Sequence, residues 1–419
     1  MPSERRKRSS RDKRSGQQSA WLRKNIREQQ LTAAGVIRKQ GRQRKESTRG
    51  SGRDKDDVCT RVHVGSYVAP GHAQEGHIEH PGRVKAIVEH LTKADKGIFF
   101  DNQYYDILLH HTSSRNATPE EIGLVHVYYD ELKRTLDECK DDVRILADEG
   151  DPDGSTYATH TTFSDACKAC GVVLDLVDGV CKLEKAKRKA CAVIRPPGHH
   201  ATATSPLGFC IFNNVAIAAR YAMKKYPDLI KKIMIVDFDL HNGNGTIDCF
   251  YEDDTVCVVD IHERSQVYTG RDTVESIGEG RGKGYTVNVP LEKHSGHKSV
   301  VRVMEEVVKP LASRYAPDMV IISAGFDGHK DDPFDSLSYT ESTYRYLGDT
   351  LSAIADEHCD GRILLVLEGG YNTDALASSV GSLLLGVAHV PAGLSAMEPT
   401  NGDTQSMSVI DQVKWIHRV

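Results

Sequence analysis

The sequence predicts an α/β fold in which a mainly parallel sheet is flanked by helices. From Val58 to about residue 390, short apolar runs rich in Val and Ile alternate with longer segments of helical periodicity. The apolar runs are nearly continuous, which is typical of strands buried on both faces of a parallel sheet. With 39% hydrophobic and 27% charged residues, the chain has enough apolar material for a large core.

The elements follow one another in a regular order along this region. The predicted strands are ACAVI (190–194), KKIMIVDFD (231–239), TVCVVDI (255–261), YTVNVPL (285–291), DMVIISAG (318–325) and ILLVLEGG (363–370). The segments with apolar residues every three or four positions predict helices over 81–94, 163–183, 213–226, 297–316 and 340–358. We find no internal repeat, so a single layered domain is expected.

The first 57 residues differ in composition from the rest of the chain. They contain 18 Lys and Arg against 7 Asp and Glu, a net charge of +11, whereas the remaining residues carry 36 against 52, a net charge of −16. Because the segment is polar, we expect it to be a largely disordered arm. Its clusters RRKR (5–8) and RDKR (11–14) are typical of a nuclear localisation signal or of a contact with an anionic partner. A solubilising tail is the alternative.

The chain therefore divides into a basic arm (1–57), a main domain (58–392) and a polar loop with a closing element (393–419). No run of 18 apolar residues predicts a membrane-spanning helix, and the N-terminus lacks a secretory signal pattern. Ten scattered cysteines favour free thiols in a reducing compartment. The one CxxC pair, Cys167 and Cys170, lies in a helical pattern, so we expect these two thiols to belong to the core.

Polar residues occur at the ends of the first two predicted strands, ACAVI and KKIMIVDFD. In RPPGHHA, proline and glycine end the strand and present His199 and His200 side by side. In IVDFDLHNGNG, Asp237, Asp239 and His241 are spaced two apart, so their side chains are expected to project to one side of an extended strand. Acids and histidines in line on an apolar strand are costly to bury without a metal or a catalytic role.

Two further strands end in residues of the same kind. Asp327 follows DMVIISAG, and Tyr371 follows ILLVLEGG, where two glycines let the chain turn. Ligands in open α/β sheets bind beyond the carboxyl ends of the strands, so these residues are expected to meet. Asp239, His241 and Asp327 form a nitrogen and oxygen set that suits zinc and leaves a fourth position for water or substrate.

The ordered motifs RPPGHHA, GFCIFNNVAIAARYA, IVDFDLHNGNGT, GYTVNVPL, SAGFDGHKDDP and LEGGYN resemble those of the zinc-dependent histone deacetylases. Details favour the class II branch and its relatives, the acetylpolyamine amidohydrolases. The resemblance covers roughly residues 60–390. It implies an arginase-like α/β fold with an eight-stranded, mainly parallel sheet, and a hydrolase that removes the acetyl group of N6-acetyl-lysine.

The resemblance also implies a role for each matched residue. It assigns zinc ligation to Asp239, His241 and Asp327. His200 is the general base and then the general acid, His199 is its electrostatic partner backed by Asp237, and Asn244 lies near the second histidine. Tyr371 donates a hydrogen bond to the substrate carbonyl. Amide hydrolysis requires an activated water, a donor for the developing oxyanion and a proton carrier for the amine, and these residues supply all three.

Substrate contacts are implied less directly. Six residues are expected to contact the substrate or to line its tunnel: Arg83, Ser155, Phe209, Tyr268, Phe334 and Gly370. Ser155 corresponds to a serine that contacts the substrate backbone in relatives, and Tyr268 is expected to supply the tunnel wall where a second phenylalanine is missing. An apolar rim at Phe334 suits a peptide substrate better than a cationic polyamine. A buried salt bridge is the alternative role for Arg83, and an ordinary core position is the alternative for Phe209.

Besides Phe334, which replaces a usual leucine or methionine, and the missing tunnel phenylalanine, the sequence departs from the family pattern at two positions. Asn242 stands where many relatives have a second histidine, and Asp260 stands where a serine is usual near an internal monovalent-cation site. A carboxylate can still bind K⁺, so a structural K⁺ remains an expectation beside zinc. The expected partners are acetylated histone tails or other acetyl-lysine proteins and a corepressor complex, in the nucleus with the cytoplasm as a second compartment and no membrane.

Three functions remain open at this point. The first is a protein lysine deacetylase that represses transcription through chromatin, and the second is an amidohydrolase of acetylpolyamines. The third is a weakly active acetyl-lysine-binding scaffold, against which the presence of Tyr371 argues. A two-metal ureohydrolase would need more bridging carboxylates than this chain offers.

Overall fold

The computed structural model describes residues 60–92, 107–111, 113–137, 143–146, 156–185, 188–265, 267–391 and 406–419. The expected arm 1–57, the substrate contact Ser155 and the loop 393–405 lie outside these residues. The division of the chain into three parts accordingly stays a prediction. Within the described residues, no helix combines the length and the apolar character needed to cross a bilayer.

Eight parallel strands form the central sheet. In chain order the strands are β1 Val62–Tyr67, β2 Leu108–His111, β3 Arg144–Ile145, β4 Tyr157–Ala158, β5 Lys189–Ile194, β6 Ile233–Asp237, β7 Val256–Glu263, β8 Thr286–Leu291, β9 Met319–Ala324 and β10 Ile363–Leu367. The sheet order is β2-β1-β5-β10-β9-β6-β7-β8, and β3 pairs with β4 in a separate antiparallel ribbon. The predicted eight-stranded parallel architecture is confirmed.

Helices cover both faces of the sheet. Their bounds are Gly82–Thr92, Pro119–Ile122, Tyr129–Asp137, Thr162–Lys182, Asn214–Lys225, Asn244–Phe250, His297–Val303, Lys309–Tyr315, Glu341–His358, Thr373–Val387 and Met407–His417. A π-helical turn, Met304–Val308, joins the seventh and eighth of these. Pro310 lies in the first turn of the helix that follows, where proline is tolerated because its missing N–H loses no hydrogen bond within that helix.

Two hydrophobic cores result from the alternation of side chains along each buried strand. In β5, Cys191 and Val193 face one core, while Ala190 and Ala192 face the other. The second core contains the long helix Thr162–Lys182, in which Cys167 and Cys170 are buried as free thiols. All six strands predicted from the apolar runs are present, because a strand buried on both faces needs a continuous apolar run.

The helix Thr162–Lys182 contains a glycine that close packing requires. A Cβ atom added to Gly171 would lie 2.1 Å from the Arg115 carbonyl oxygen, which belongs to a neighbouring loop. Gly179, two turns further along, has room for a Cβ atom, since the nearest atom would be Leu183 Cδ1 at 3.8 Å. The two glycines therefore form a matched pair in one helix.

We expect Gly171→Ala to lower the free energy of unfolding by more than ~1 kcal/mol, because the added methyl group forces the helix away from the backbone at Arg115. Gly179→Ala is expected to raise it by about 0.5–1 kcal/mol, since alanine favours the helix. Urea unfolding followed by circular dichroism measures both. Equal effects of the two substitutions would show that the loop at Arg115 does not restrict Gly171.

Candidate active site

Four neighbouring strands in the middle of the sheet, in the order β5-β10-β9-β6, end at one cavity. The cavity has a volume of about 280 Å³. Its lining includes five of the residues that the strand ends were predicted to supply, namely His199, His200, Asp239, His241 and Tyr371. Asp327 lies against it as a partner of His241. The parallel sheet thus brings together side chains from four distant segments of the chain.

Three potential metal ligands converge at the base of this cavity. One donor atom from each of Asp239, His241 and Asp327 lies within 4.8 Å of the other two. His241 Nδ1 is 3.4 Å from Asp239 Oδ1 and 3.2 Å from Asp327 Oδ2. Burial and the neighbouring charge of Asp239 raise the pKa of Asp327 to about 7. A cation between the two carboxylates would offset this repulsion, so the donor set fits zinc.

Backbone N–H groups orient the two carboxylates. Gly369 N donates to Asp239 Oδ2 at 2.8 Å, and Leu240 N donates to Asp327 Oδ1 at 3.0 Å. Each carboxylate therefore keeps its other oxygen directed at His241. Such hydrogen bonds to the outer oxygens of ligating carboxylates position them for a metal.

The sequence argument that placed Asp237, Asp239 and His241 on one extended strand was wrong in its geometry. Strand β6 ends at Asp237, and the two later residues belong to the loop that follows. Asp239 N donates to Asp237 Oδ1 and His241 N donates to Asp239 Oδ1, each at 3.0 Å. In each of these Asx-turns an aspartate side chain accepts a hydrogen bond from the backbone N–H two residues later. The two turns bring Asp237, Asp239 and His241 close together.

The two adjacent histidines have different partners. His199 Nδ1 is 3.0 Å from Asp237 Oδ2, and His200 Nδ1 is 2.8 Å from Asn244 Oδ1. The centroids of the two imidazole rings lie 3.9 Å apart. Burial opposes a charge on His199, but the carboxylates of Asp239 and Asp237 raise its pKa well above the ordinary value. Burial, together with the charges of His199 and His241, lowers the pKa of His200.

Since the Asn244 oxygen is an acceptor, His200 Nδ1 carries a proton in this hydrogen bond. The Nε2 atom of the neutral ring is then the free base.

Tyr371 is fixed by its backbone and by its ring. Its N–H donates to Asp332 Oδ2 at 2.7 Å, and the Arg83 guanidinium lies 4.8 Å from the ring centroid. The preceding Gly370 has φ +115°, a conformation that glycine adopts readily. Burial raises the pKa of the phenol well above its ordinary value, so Tyr371 stays a hydrogen-bond donor.

The structure separates the six expected substrate contacts into three groups. Phe209, Tyr268 and Phe334 line the cavity, and Tyr268 stacks on the His200 ring at 3.9 Å. Arg83 and Gly370 are not among the lining residues. Arg83 is fully buried and donates to the carbonyl oxygens of Gly370 and Glu368 at 2.6 and 2.5 Å, which is the buried structural role. Ser155 is not described.

The two departures from the family pattern have protein partners. Asn242 donates to Asn288 Oδ1 at 3.2 Å. Asp260 accepts from Gly243 N at 2.8 Å through one oxygen and lies 2.5 Å from His262 Nδ1 through the other. Both oxygens of Asp260 thus already have partners, and the structural K⁺ stays a prediction.

Sequence reasoning missed several residues of the site. Glu368 accepts from Gly198 N and His199 N at 2.6 and 3.1 Å, so it holds the turn that carries the histidine pair. Its position directly before two glycines at a strand end was an available signal. Glu263, the last residue of β7, and Lys293, in the loop after β8, line the cavity as well. No spacing in the sequence indicates that these two side chains face the cavity.

Comparisons with known proteins agree with this geometry. A family model described as histone deacetylase domain matches residues 77–387. Histone deacetylase 14, chloroplastic, of Arabidopsis thaliana is 40% identical over 317 residues, which cover 74% of this chain and 73% of that protein. Histone deacetylase 10, chloroplastic, of Oryza sativa subsp. japonica is 37% identical over 332 residues, covering 78% and 73%. The crystal structure of the HDA15 HD domain has a TM-score of 0.72 at 28% identity, covering 85% of this chain and 94% of that one.

The convergence of Asp239, His241 and Asp327 predicts about one transition-metal ion per chain. Asp327→Ala removes one of three ligands, so the substituted protein is expected to lose most of the metal. Asp331→Ala is the control, because Asp331 is an exposed acid of the same loop. Metal analysis by mass spectrometry after gel filtration measures both. Retention of full metal content in Asp327→Ala would contradict the assignment.

Proposed function

The chain belongs to the histone deacetylase family, and we propose that it hydrolyses the acetyl amide of N6-acetyl-lysine in histones or other proteins and releases acetate, with zinc as its metal. One observation carries this proposal. A triad of metal-ligand type, a histidine pair and a tyrosine converge on one cavity from four neighbouring strands. Each element corresponds to one requirement of amide hydrolysis.

The proposed mechanism divides the work among these residues. Zinc, when held by Asp239, His241 and Asp327, supplies a Lewis acid that polarises the acetyl carbonyl and acidifies water. His200 removes the proton from the attacking water through Nε2, because its Nδ1 already donates to Asn244. The same nitrogen then returns the proton to the lysine amine as the C–N bond breaks.

His199 and Tyr371 complete this scheme. His199, paired with Asp237, places a positively charged ring beside His200 and stabilises negative charge that develops in the cavity. Tyr371 donates its phenolic proton in a hydrogen bond to the acetyl oxygen. Phe209 and Phe334 each lie edge-on to the Tyr371 ring, with distances between ring centroids of 5.9 and 5.5 Å. These apolar walls suit the methylene chain of lysine.

Acetylpolyamine hydrolysis is the second candidate function. One observation favours it: Glu263 lines the cavity and could pair with a free ammonium group of a polyamine. Phe334 at the rim and the cationic Lys293 in the same lining favour a peptide. We therefore place protein acetyl-lysine first. The scaffold hypothesis does not account for the complete set of catalytic-type residues.

We expect Tyr371→Phe to lower kcat for an acetyl-lysine peptide by about two to three orders of magnitude, the usual loss for one oxyanion donor. The backbone contacts of Tyr371 persist in this variant, so metal content and unfolding temperature should stay unchanged. Acetate release from the peptide and from N8-acetylspermidine is measured in parallel, with and without a chelator. Near-normal turnover in Tyr371→Phe would contradict its role, and efficient turnover of the polyamine alone would favour the second candidate.

The cellular role extends the same proposal. We propose deacetylation of histone tails in the nucleus, with transcriptional repression through a corepressor complex and with the basic arm as the nuclear address. The support is the net charge of +11 on residues 1–57 and the clusters RRKR and RDKR. The relatives from Arabidopsis thaliana and Oryza sativa are both named chloroplastic. The plastid is therefore the competing location.

Deletion of residues 1–55 should leave hydrolysis of a small acetyl-lysine substrate almost unchanged, because every predicted catalytic residue lies after residue 190. The same deletion should abolish nuclear accumulation of a fluorescent fusion. Replacement of RRKR and RDKR by glutamine in the full chain separates charge from length. Any histone or nucleic-acid binding by the arm should weaken steeply with salt. A truncated protein that still enters the nucleus would refute the address.

A further inference from the structure

Two charged residues stand in the cavity lining outside the catalytic set. Glu263 is the last residue of β7, and Lys293 follows the end of β8, the neighbouring strand. Both belong to the lining that also contains His200 and His241. Glu263 is half-buried, whereas Lys293 is exposed. One wall of the catalytic cavity therefore carries a carboxylate and an ammonium group.

Neither of these two charged side chains makes a hydrogen bond or an ion pair with another described residue. The adjacent residues behave differently, because Arg264 and Glu292 pair with each other at 3.1 Å across the same two strand ends. A substrate group of opposite charge can therefore pair with each of Glu263 and Lys293.

Backbone hydrogen bonds hold both positions relative to the catalytic residues. Glu263 N donates to Leu240 O at 2.8 Å, and Leu240 immediately precedes the proposed ligand His241. Beside Lys293, His294 N donates to Ser336 O at 2.7 Å, and Ser336 also lines the cavity. The backbone at each charge is thus anchored, which allows the pair to discriminate between substrates.

We propose that Glu263 and Lys293 select acetyl-lysine substrates that carry a cationic and an anionic group beside the acetylated side chain. This inference rests on the proposed deacetylase function. Glu263 binds the cationic group and contributes more, because an ion pair at a half-buried site is less screened than one at exposed Lys293. The two charges come either from residues that flank acetyl-lysine in a protein or from the α-ammonium and α-carboxylate of free N6-acetyl-lysine.

The experiment compares matched substrates on the full-length, metal-loaded protein. Peptides with acetyl-lysine between Arg and Asp, in both orders, are compared with peptides in which Gln replaces Arg, Asp or both. Free N6-acetyl-lysine is compared with its Nα-acetylated amide, which lacks both charges. We expect kcat/KM to fall about fivefold when the cation is removed and about twofold when the anion is removed, mainly through KM. The peptide and amino-acid arms show which source of charge is preferred.

Variants assign the preference to residues. Glu263→Gln is expected to abolish discrimination between Arg and Gln peptides, and Lys293→Gln to abolish discrimination between Asp and Gln peptides. Glu292→Gln is the matched control, because it removes the same charge next to Lys293 but lies outside the cavity lining. Glu292→Gln should hydrolyse every peptide like the unmodified protein, and an unchanged unfolding temperature of all three variants excludes misfolding as the cause.

The outcomes separate this inference from the proposal on which it rests. Equal rates on charged and uncharged peptides, or an equal effect of Glu292→Gln and Glu263→Gln, would refute the selective role while leaving the deacetylase function intact. Failure to release acetate from any peptide, with zinc present, would instead refute the function. Loss of the preference in high salt is expected, since the contacts are partly exposed to solvent.

Discussion

The close approach of two loops at Gly369 is the constraint on which the site depends. The N–H of Gly369 donates to Asp239 Oδ2, so the loop after β10 lies directly against the loop after β6. A Cβ atom on Gly369 would lie 2.5 Å from Asp327 Oδ2 and 2.6 Å from Asp239 Oδ2. Any other residue would push the two carboxylates apart. Tyr371 follows two residues later, so the same contact sets the distance between the phenol and the ligand triad.

A buried network of charges supports that loop from below. Arg83 binds the carbonyl oxygens on both sides of Gly369, and Glu79 lies between Arg83 and Arg195 at 3.2 and 2.5 Å. All three side chains are fully buried. Removing one partner from such a network leaves an uncompensated buried charge, which strongly destabilises the fold. The position of Tyr371 is thereby tied to β5, since Arg195 directly follows that strand.

The sheet and the catalytic-type residues were predictable from sequence because both follow from strands buried on two faces. Strands β5 to β10 are continuous apolar runs, and polar residues placed at their ends meet at one edge. Strand β1, VHVGSY, is interrupted by Gly and Ser, and the edge strand β2, LLHH, ends in exposed residues, so neither gave a clear pattern.

The limits of the sequence at the site have a similar physical basis. Glu263 lines the cavity because the end of β7 lies beside the loop that carries His241, and Arg83 is buried because of contacts nearly 290 residues away along the chain. Spacing within a motif carries no information on either kind of contact. The residue types at the strand ends were therefore predictable, whereas the residues that support and surround them were not.

The arrangement of charge explains why these supporting residues matter. Asp237, Asp239, Asp327 and Glu368 are buried together at one edge of the sheet, and burial raises the pKa of Glu368 to about 7. Such a cluster is unfavourable unless each carboxylate has donors or a cation. Backbone N–H groups serve Glu368, His199 serves Asp237, and one oxygen each of Asp239 and Asp327 is left for His241 and for a metal. A bound cation would then stabilise the folded chain as well as act in catalysis, because only the folded chain assembles its ligands.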